Sequence, residues 1–190
     1  MKLNNINLLT SKKYLIILSI LFISQSCSKD DPKEIHEHEE INRISLTFVE
    51  GSNSETFTWD EGATIPTINI DANKTYQVSF YAYDASDSND VENVTTEIIE
   101  EADEHYIFYE VSGVGLNITS ASDDVIGAES KGINLNTDWN TTDNGLGTLR
   151  ISLIHEPTNV SGTDRAAIGG ETDIDATFSI LFLFLYQMPI

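Results

Sequence analysis

Apolar and polar residues alternate through most of the chain after residue 42. Residues 43–49 (RISLTFV) place Ile44, Leu46 and Phe48 on one face, and residues 75–83 (TYQVSFYAY) repeat the same two-residue period. That period predicts strands with one buried face. Further short strands are predicted near residues 57–59, 65–70, 106–112, 113–121, 132–136, 147–155 and 174–186.

One stretch has a helical period instead. Val94, Ile98 and Ala102 are spaced four apart, which places them on one face of a helix, and glutamates fill the positions between. After His105 the pattern changes to a strand rich in aromatic residues. Eight or nine short strands with turn signals between them, and one short helix, predict an all-β fold: an antiparallel, Ig-like β-sandwich.

The N-terminus carries a secretory signal. Three lysines precede an apolar run at residues 14–23 (YLIILSILFI), and small or polar residues then lead to Cys27. The run is about half of the roughly 20 residues that a membrane-spanning helix needs. Cys27 is the only cysteine, so no intramolecular disulfide can form. Its position resembles that of a bacterial lipoprotein acceptor, with residues 1–26 as the signal peptide. The alternative, a buried thiol, has no apolar surroundings to support it.

Residues 27–42 are polar and acidic, and they predict a tether between the lipid and a single β-sandwich domain at residues 43–190. Just after the cysteine, Lys29, Asp30 and Asp31 resemble the export signal that sends lipoproteins of the Bacteroidota to the cell surface. The alternative is an ordinary solvated tether. The expected location is therefore the outer membrane, with a lipid anchor and exposure at the cell surface.

The chain is strongly acidic, with 31 acidic and 10 basic residues and a formal net charge of −21. This charge excludes nucleic acid as a partner, since phosphate contacts need clustered lysine and arginine. It favours cations or basic partners. No nucleophile elbow or glycine-rich phosphate loop is present, and the one cysteine is assigned to the lipid. We therefore expect a protein that is not an enzyme.

Two histidines of the domain are candidate metal ligands. His105 ends the predicted helix, and His155 ends the strand that begins near residue 147. Strand ends gather at one rim of a sandwich, so both imidazoles can meet there, with Glu101 or Glu171 as a carboxylate partner. Such a set suits tetrahedral zinc or tetragonal copper. The alternative is structural: a helix-capping His105 and a His155 that binds the backbone.

Several short motifs together are similar to those of small uncharacterised flavobacterial lipoproteins. They are residues 101–105 (EADEH), 147–151 (GTLRI), 153–157 (LIHEP) and 169–174 (GGETDI). Members of this group are often labelled type 1 periplasmic binding fold proteins, although that fold has two α/β lobes and this chain has one predicted helix. The resemblance implies a companion of a TonB-dependent outer-membrane transporter that captures a cation or small nutrient.

A second function stays open at this stage. A structural or adhesive β-sandwich module would bind a protein or a glycan through its acidic face and exposed aromatic residues, such as Trp139. Stoichiometric metal or ligand in the purified protein would favour capture over adhesion.

Overall fold

The computed structural model describes residues 40–142 and 145–183. The predicted signal peptide, the lipid acceptor Cys27, the export signal at residues 29–31 and most of the tether lie outside the described residues. Within the described part of the chain, no helix is both long enough and apolar enough to cross a membrane.

In the residues that the structure describes, the domain has ten strands and two short helices. In chain order, the strands are β1 (Arg43–Glu50), β2 (Asn53–Asp60), β3 (Thr67–Asp71), β4 (Thr75–Asp84), β5 (Glu92–Asn93), β6 (His105–Ser112), β7 (Leu116–Ser120), β8 (Asn136–Thr141), β9 (Gly145–His155) and β10 (Glu171–Leu183). The helices are α1 (Thr95–Glu100) and α2 (Arg165–Ile168), and a 3₁₀ turn spans Ala128–Ser130.

The strands form two sheets. The first has the order β2-β1-β4-β8-β7, with β5 attached to β4, and all of its pairs are antiparallel. The second has the order β3-β10-β9-β6. The predicted all-β sandwich is confirmed. Two details differ from it: β3 pairs with β10 in parallel, and residues 40–142 and 145–183 contain two short helices instead of one.

The inward faces of both sheets build one apolar core. Phe178 of the second sheet packs edge to face with Phe57 and with Trp59 of the first, at centroid distances of 5.3 and 5.8 Å. Such edge-to-face pairs contribute roughly 0.5–1.5 kcal/mol beyond the area that they bury. Contacts of this kind hold the two sheets together.

Trp139 belongs to this core and not to the surface. Its exposed fraction is 0%, its indole Nε1 donates a 2.8 Å hydrogen bond to Thr137 Oγ1, and the ring of Phe48 packs against it. The prediction of an exposed Trp139 is wrong because β8, with the sequence NTDWNT, was not predicted as a strand. Only Thr137, Trp139 and Thr141 of β8 are buried, so the apolar alternation is too sparse to detect.

One predicted boundary and one predicted strand also differ from the structure. Ile41 is buried, and Asn42 donates to the Tyr83 carbonyl at 3.2 Å and accepts from the Glu61 amide at 2.7 Å. The domain therefore includes these last two residues of the predicted tether. The strand predicted at residues 132–136 is instead a connection between sheets, since the Ile133 carbonyl accepts from β6 and the Leu135 carbonyl accepts from β4.

Candidate functional site

The structure brings the two candidate histidines together at one rim of the second sheet. His105 begins β6 and His155 ends β9, and they are direct partners in the antiparallel register. Their rings lie 5.0 Å apart between centroids and are nearly parallel, with an interplanar angle of 20°. Both residues are buried, with exposed fractions of 6% for His105 and 9% for His155. We call this pair the histidine rim.

Each imidazole of the histidine rim has a partner in the chain. Helix α1 ends at Glu100, and the His105 ring nitrogen Nδ1 lies 3.1 Å from the Glu101 carbonyl oxygen. Because a carbonyl only accepts, this contact places a proton on Nδ1. The Nε2 of His155 lies 3.5 Å from a carboxylate oxygen of Glu104. His105 therefore binds the backbone at the end of the helix, as the structural alternative expects.

The predicted carboxylate partners occupy different roles. Glu101 contacts His105 through its backbone carbonyl oxygen, just after the end of helix α1. Glu171 is the register partner of His155 on β10. Glu104 places a carboxylate oxygen near His155, and its carbonyl accepts from the Glu156 amide at 2.7 Å.

A close backbone approach fixes this end of the sheet. Gly170, just before β10, has φ +74°, and a Cβ there would lie 2.4 Å from the His155 carbonyl oxygen. No residue with a side chain fits at that separation. The loop between β9 and β10 can therefore pass close to His155 only because residue 170 is glycine.

The histidine rim does not form a metal-ligand set as it stands. The lone pair of an imidazole lies in the plane of its ring, so two nearly parallel stacked rings do not direct their lone pairs to one point. In residues 40–142 and 145–183, no group of three or more histidine, cysteine, aspartate or glutamate side chains is arranged to hold a metal ion. Zinc or copper at His105, His155, Glu101 and Glu171 stays a prediction, and it requires at least one ring to turn.

A second candidate site lies where the two sheets open at their edges. A groove of about 240 Å³ separates the start of β2 from β3, and these are the end strands of their respective sheets. Its lining residues are Phe48, Glu50, Asn53, Ser54, Glu55, Asn69, Ile70, Asp71 and Tyr76. A smaller cavity of about 80 Å³ continues along β3 and shares Phe48, Glu55, Asn69 and Ile70 with it. We call the two together the edge groove.

The edge groove has a charged rim and an apolar floor. Phe48, Ile70 and Tyr76 are buried beneath it, and the rings of Phe48 and Tyr76 meet edge to face at 6.1 Å. Glu55 is exposed at the rim, on an edge strand where its register partner is Phe48. The groove therefore combines carboxylates with an apolar surface, which suits a ligand with one polar and one apolar part.

One carboxylate at the groove forms an ion pair with a lysine. Lys74 Nζ donates to Glu50 Oε1 at 2.7 Å. This hydrogen bond and the attraction of the two charges lower the pKa of Glu50 and raise the pKa of Lys74. Burial, together with the nearby Asp71, raises the pKa of the Tyr76 hydroxyl. Among Glu50, Glu55 and Asp71, Glu50 is the residue that hydrogen-bonds this lysine, and the charge of Asp71 also raises the pKa of Lys74.

Side chains already bind several backbone groups of the edge strand β3. Asn69 Nδ2 donates to the Thr67 carbonyl at 3.2 Å, and the Asp71 amide donates to the Tyr76 hydroxyl at 2.9 Å. The Thr141 hydroxyl donates to the Asp71 carbonyl at 2.8 Å. Such contacts protect an edge strand against pairing with another chain. The groove is therefore better suited to a small molecule than to an added strand.

Sequence reasoning missed the edge groove, although one signal was present. Alternate residues of a strand lie on the same face, so Glu55 lies on the same face of β2 as the inward-facing Phe57 and Trp59. A glutamate in an inward position at a strand end indicates that the sheets do not close over it. Nothing in the sequence indicated that the turn before β2 and the turn after β3 meet, as the contact between Glu50 and Lys74 shows that they do.

Comparison of the chain with protein-family models, with curated proteins and with solved structures found no match. The resemblance to flavobacterial lipoproteins therefore stays a prediction, and the function has to be argued from the histidine rim and the edge groove.

Proposed function

We propose that this protein is a non-catalytic lipoprotein of the outer membrane that captures a cation or small nutrient for a TonB-dependent transporter. One observation carries the capture function: the edge groove, with its apolar floor and carboxylate rim. Its volume of about 240 Å³ lies just below the roughly 300–1,000 Å³ of typical ligand pockets, so the ligand is small.

The anchor rests on the sequence pattern around Cys27. Cys27→Ala should leave the protein uncleaved or released from membranes, since each buried methylene of a lipid contributes about 0.8 kcal/mol to anchoring. Replacing Lys29, Asp30 and Asp31 with alanine should keep the protein in the membrane fraction but reduce its digestion by protease on intact cells. Unchanged digestion would contradict surface export by these residues.

The capture function is tested by blocking the edge groove. NMR spectra of the ¹⁵N-labelled full chain, purified in detergent, are recorded with pools of amino acids, amines, sugars and organic acids. We expect at least one pool to shift the amides of Phe48, Glu55 and Asn69. Asn69→Trp should abolish the shifts because Asn69 lines both parts of the groove.

The matched control is Thr56→Trp, at an exposed position of β2 that does not line the groove. It should leave the shifts unchanged. If no pool shifts the groove amides, or if both tryptophan variants remove binding equally, the edge groove is not a capture site.

The histidine rim is the second place for a cation in this proposal. What favours it is the 5.0 Å separation of the two rings. If zinc or copper binds there after a ring turns, His105→Ala and His155→Ala should each abolish binding measured by calorimetry, and the double variant should be no worse. Binding that survives both substitutions would exclude the rim.

The adhesive alternative loses its named contact. Trp139 is enclosed in the core, so it is not available to a protein or a glycan. No other observation favours adhesion over capture, and the edge groove favours capture.

A further inference from the structure

We propose that the edge groove binds a small organic cation, with an ammonium group at Glu55 and Asp71 and an aliphatic part over Phe48 and Ile70. This inference rests on the proposed capture function and names its ligand class. The chemistry it fits is that of a short aliphatic amine or diamine.

The residues that line the groove include more acidic than basic side chains. Three carboxylates line it, those of Glu50, Glu55 and Asp71, and one cation, Lys74, binds the first of them at 2.7 Å. The groove therefore keeps a net negative charge within a chain that is itself strongly acidic. A cleft of one sign between apolar walls concentrates ligands of the opposite sign.

The floor of the groove selects an organic ligand. Phe48 and Ile70 line both the larger and the smaller cavity, and Phe57 and Ile68 extend the apolar surface along β3. A hydrated inorganic ion gains nothing from such a surface, whereas an amine gains free energy from each methylene that it buries there.

The donor set also disfavours an inorganic cation. Calcium takes six to eight oxygen ligands, and zinc takes four ligands. No group of three or more candidate ligand side chains is arranged for a metal in the part of the chain that the structure describes. An ammonium group needs only one or two acceptors placed beside an apolar surface, and the edge groove offers these.

The test is calorimetric titration of the full chain with 1,4-diaminobutane and with 1,4-butanediol, its uncharged counterpart of equal length. We expect the diamine to bind at low ionic strength and the diol not to bind. Affinity should fall as salt is added, because exposed charges are screened beyond about 8 Å at physiological ionic strength. Glu55→Gln should weaken diamine binding about fivefold, the upper end of what an exposed ion pair contributes.

The matched control is Glu92→Gln, which removes the same charge beside Asp84, at the opposite end of β4 from Tyr76. It should leave the affinity nearly unchanged. Equal losses for both variants would overturn the inference, because the diamine would then respond only to overall charge. If the diol binds as tightly as the diamine and the groove amides shift, the ligand is not selected by its charge. That result would overturn the proposed cationic ligand and leave the capture function in place. If neither probe and no nutrient pool shifts those amides, both proposals fail.

Discussion

The histidine rim and the edge groove gather polar side chains in opposite ways. At the rim, two buried histidines stack their rings on each other and bind groups of their own chain. At the groove, Glu55 and Asn69 are exposed above an apolar floor. The rim contains the residue types that metals prefer, yet its geometry serves packing. The groove contains ordinary surface residues, yet its shape leaves room for a ligand.

The comparison shows that residue type alone does not make a binding site, because the side chains must also be accessible to a ligand. Polar groups that are buried must be hydrogen-bonded, so a buried histidine is first of all a structural residue. A group contributes to ligand binding only when its interaction with the ligand is more favourable than the hydration that it gives up. By that criterion, we expect the rim to contribute to stability and the groove to binding, and substitutions should separate the two effects.

The largest expected effect is at the rim. His155→Ala should lower the free energy of unfolding by about 2 kcal/mol, because it removes a buried ring together with its contact to Glu104. Urea denaturation of the full chain measures this. Glu55→Gln at the groove should change stability by less than about 0.5 kcal/mol, as surface substitutions usually do. A neutral His155→Ala would mean that the rim is not structural.

A second substitution divides the contribution of His155 between packing and polar contact. His155→Phe keeps a flat ring against His105 but cannot bind Glu104. We expect it to cost less than His155→Ala, about 1 kcal/mol, because stacking is retained while one polar contact is lost. Urea denaturation again gives the value. A phenylalanine variant as unstable as the alanine variant would assign the role to the polar contact with Glu104.

Much of the fold could be predicted because alternation is strong where both sheets need apolar residues. Strands β1, β4 and β9 follow the two-residue period, and the short helix follows its own period. The polar strand β8 escaped prediction because Trp139 is its only large apolar residue.

The two candidate sites also differ in how far the sequence predicts them. The meeting of His105 and His155 followed from the rule that strand ends share a rim, and the structure places them as direct partners. The stacking of their rings and the approach of Glu104 to His155 depend on side-chain torsions that no sequence spacing fixes. The edge groove depends on how far the two sheets separate at β2 and β3, which is a property of three-dimensional packing.

The smallest expected effect is the titration of Glu50, and it tests the charge balance of the groove. The hydrogen bond from Lys74 holds the pKa of Glu50 below its ordinary value. The pairing therefore stabilises the fold fully above the ordinary glutamate pKa of about 4.3, and that stability is lost as the pH falls through the lower folded-state value. Lys74→Gln should move the titration midpoint of the Glu50 carboxyl, followed by ¹³C NMR, upward toward the ordinary value.

The same variant should strengthen the binding of 1,4-diaminobutane above pH 6, because the ligand then meets a carboxylate that no lysine neutralises. If Lys74→Gln moves the Glu50 midpoint but leaves the affinity for the diamine unchanged, the ligand does not reach the Glu50 end of the groove. The ammonium position would then be confined to Glu55 and Asp71, the pair that the proposal names.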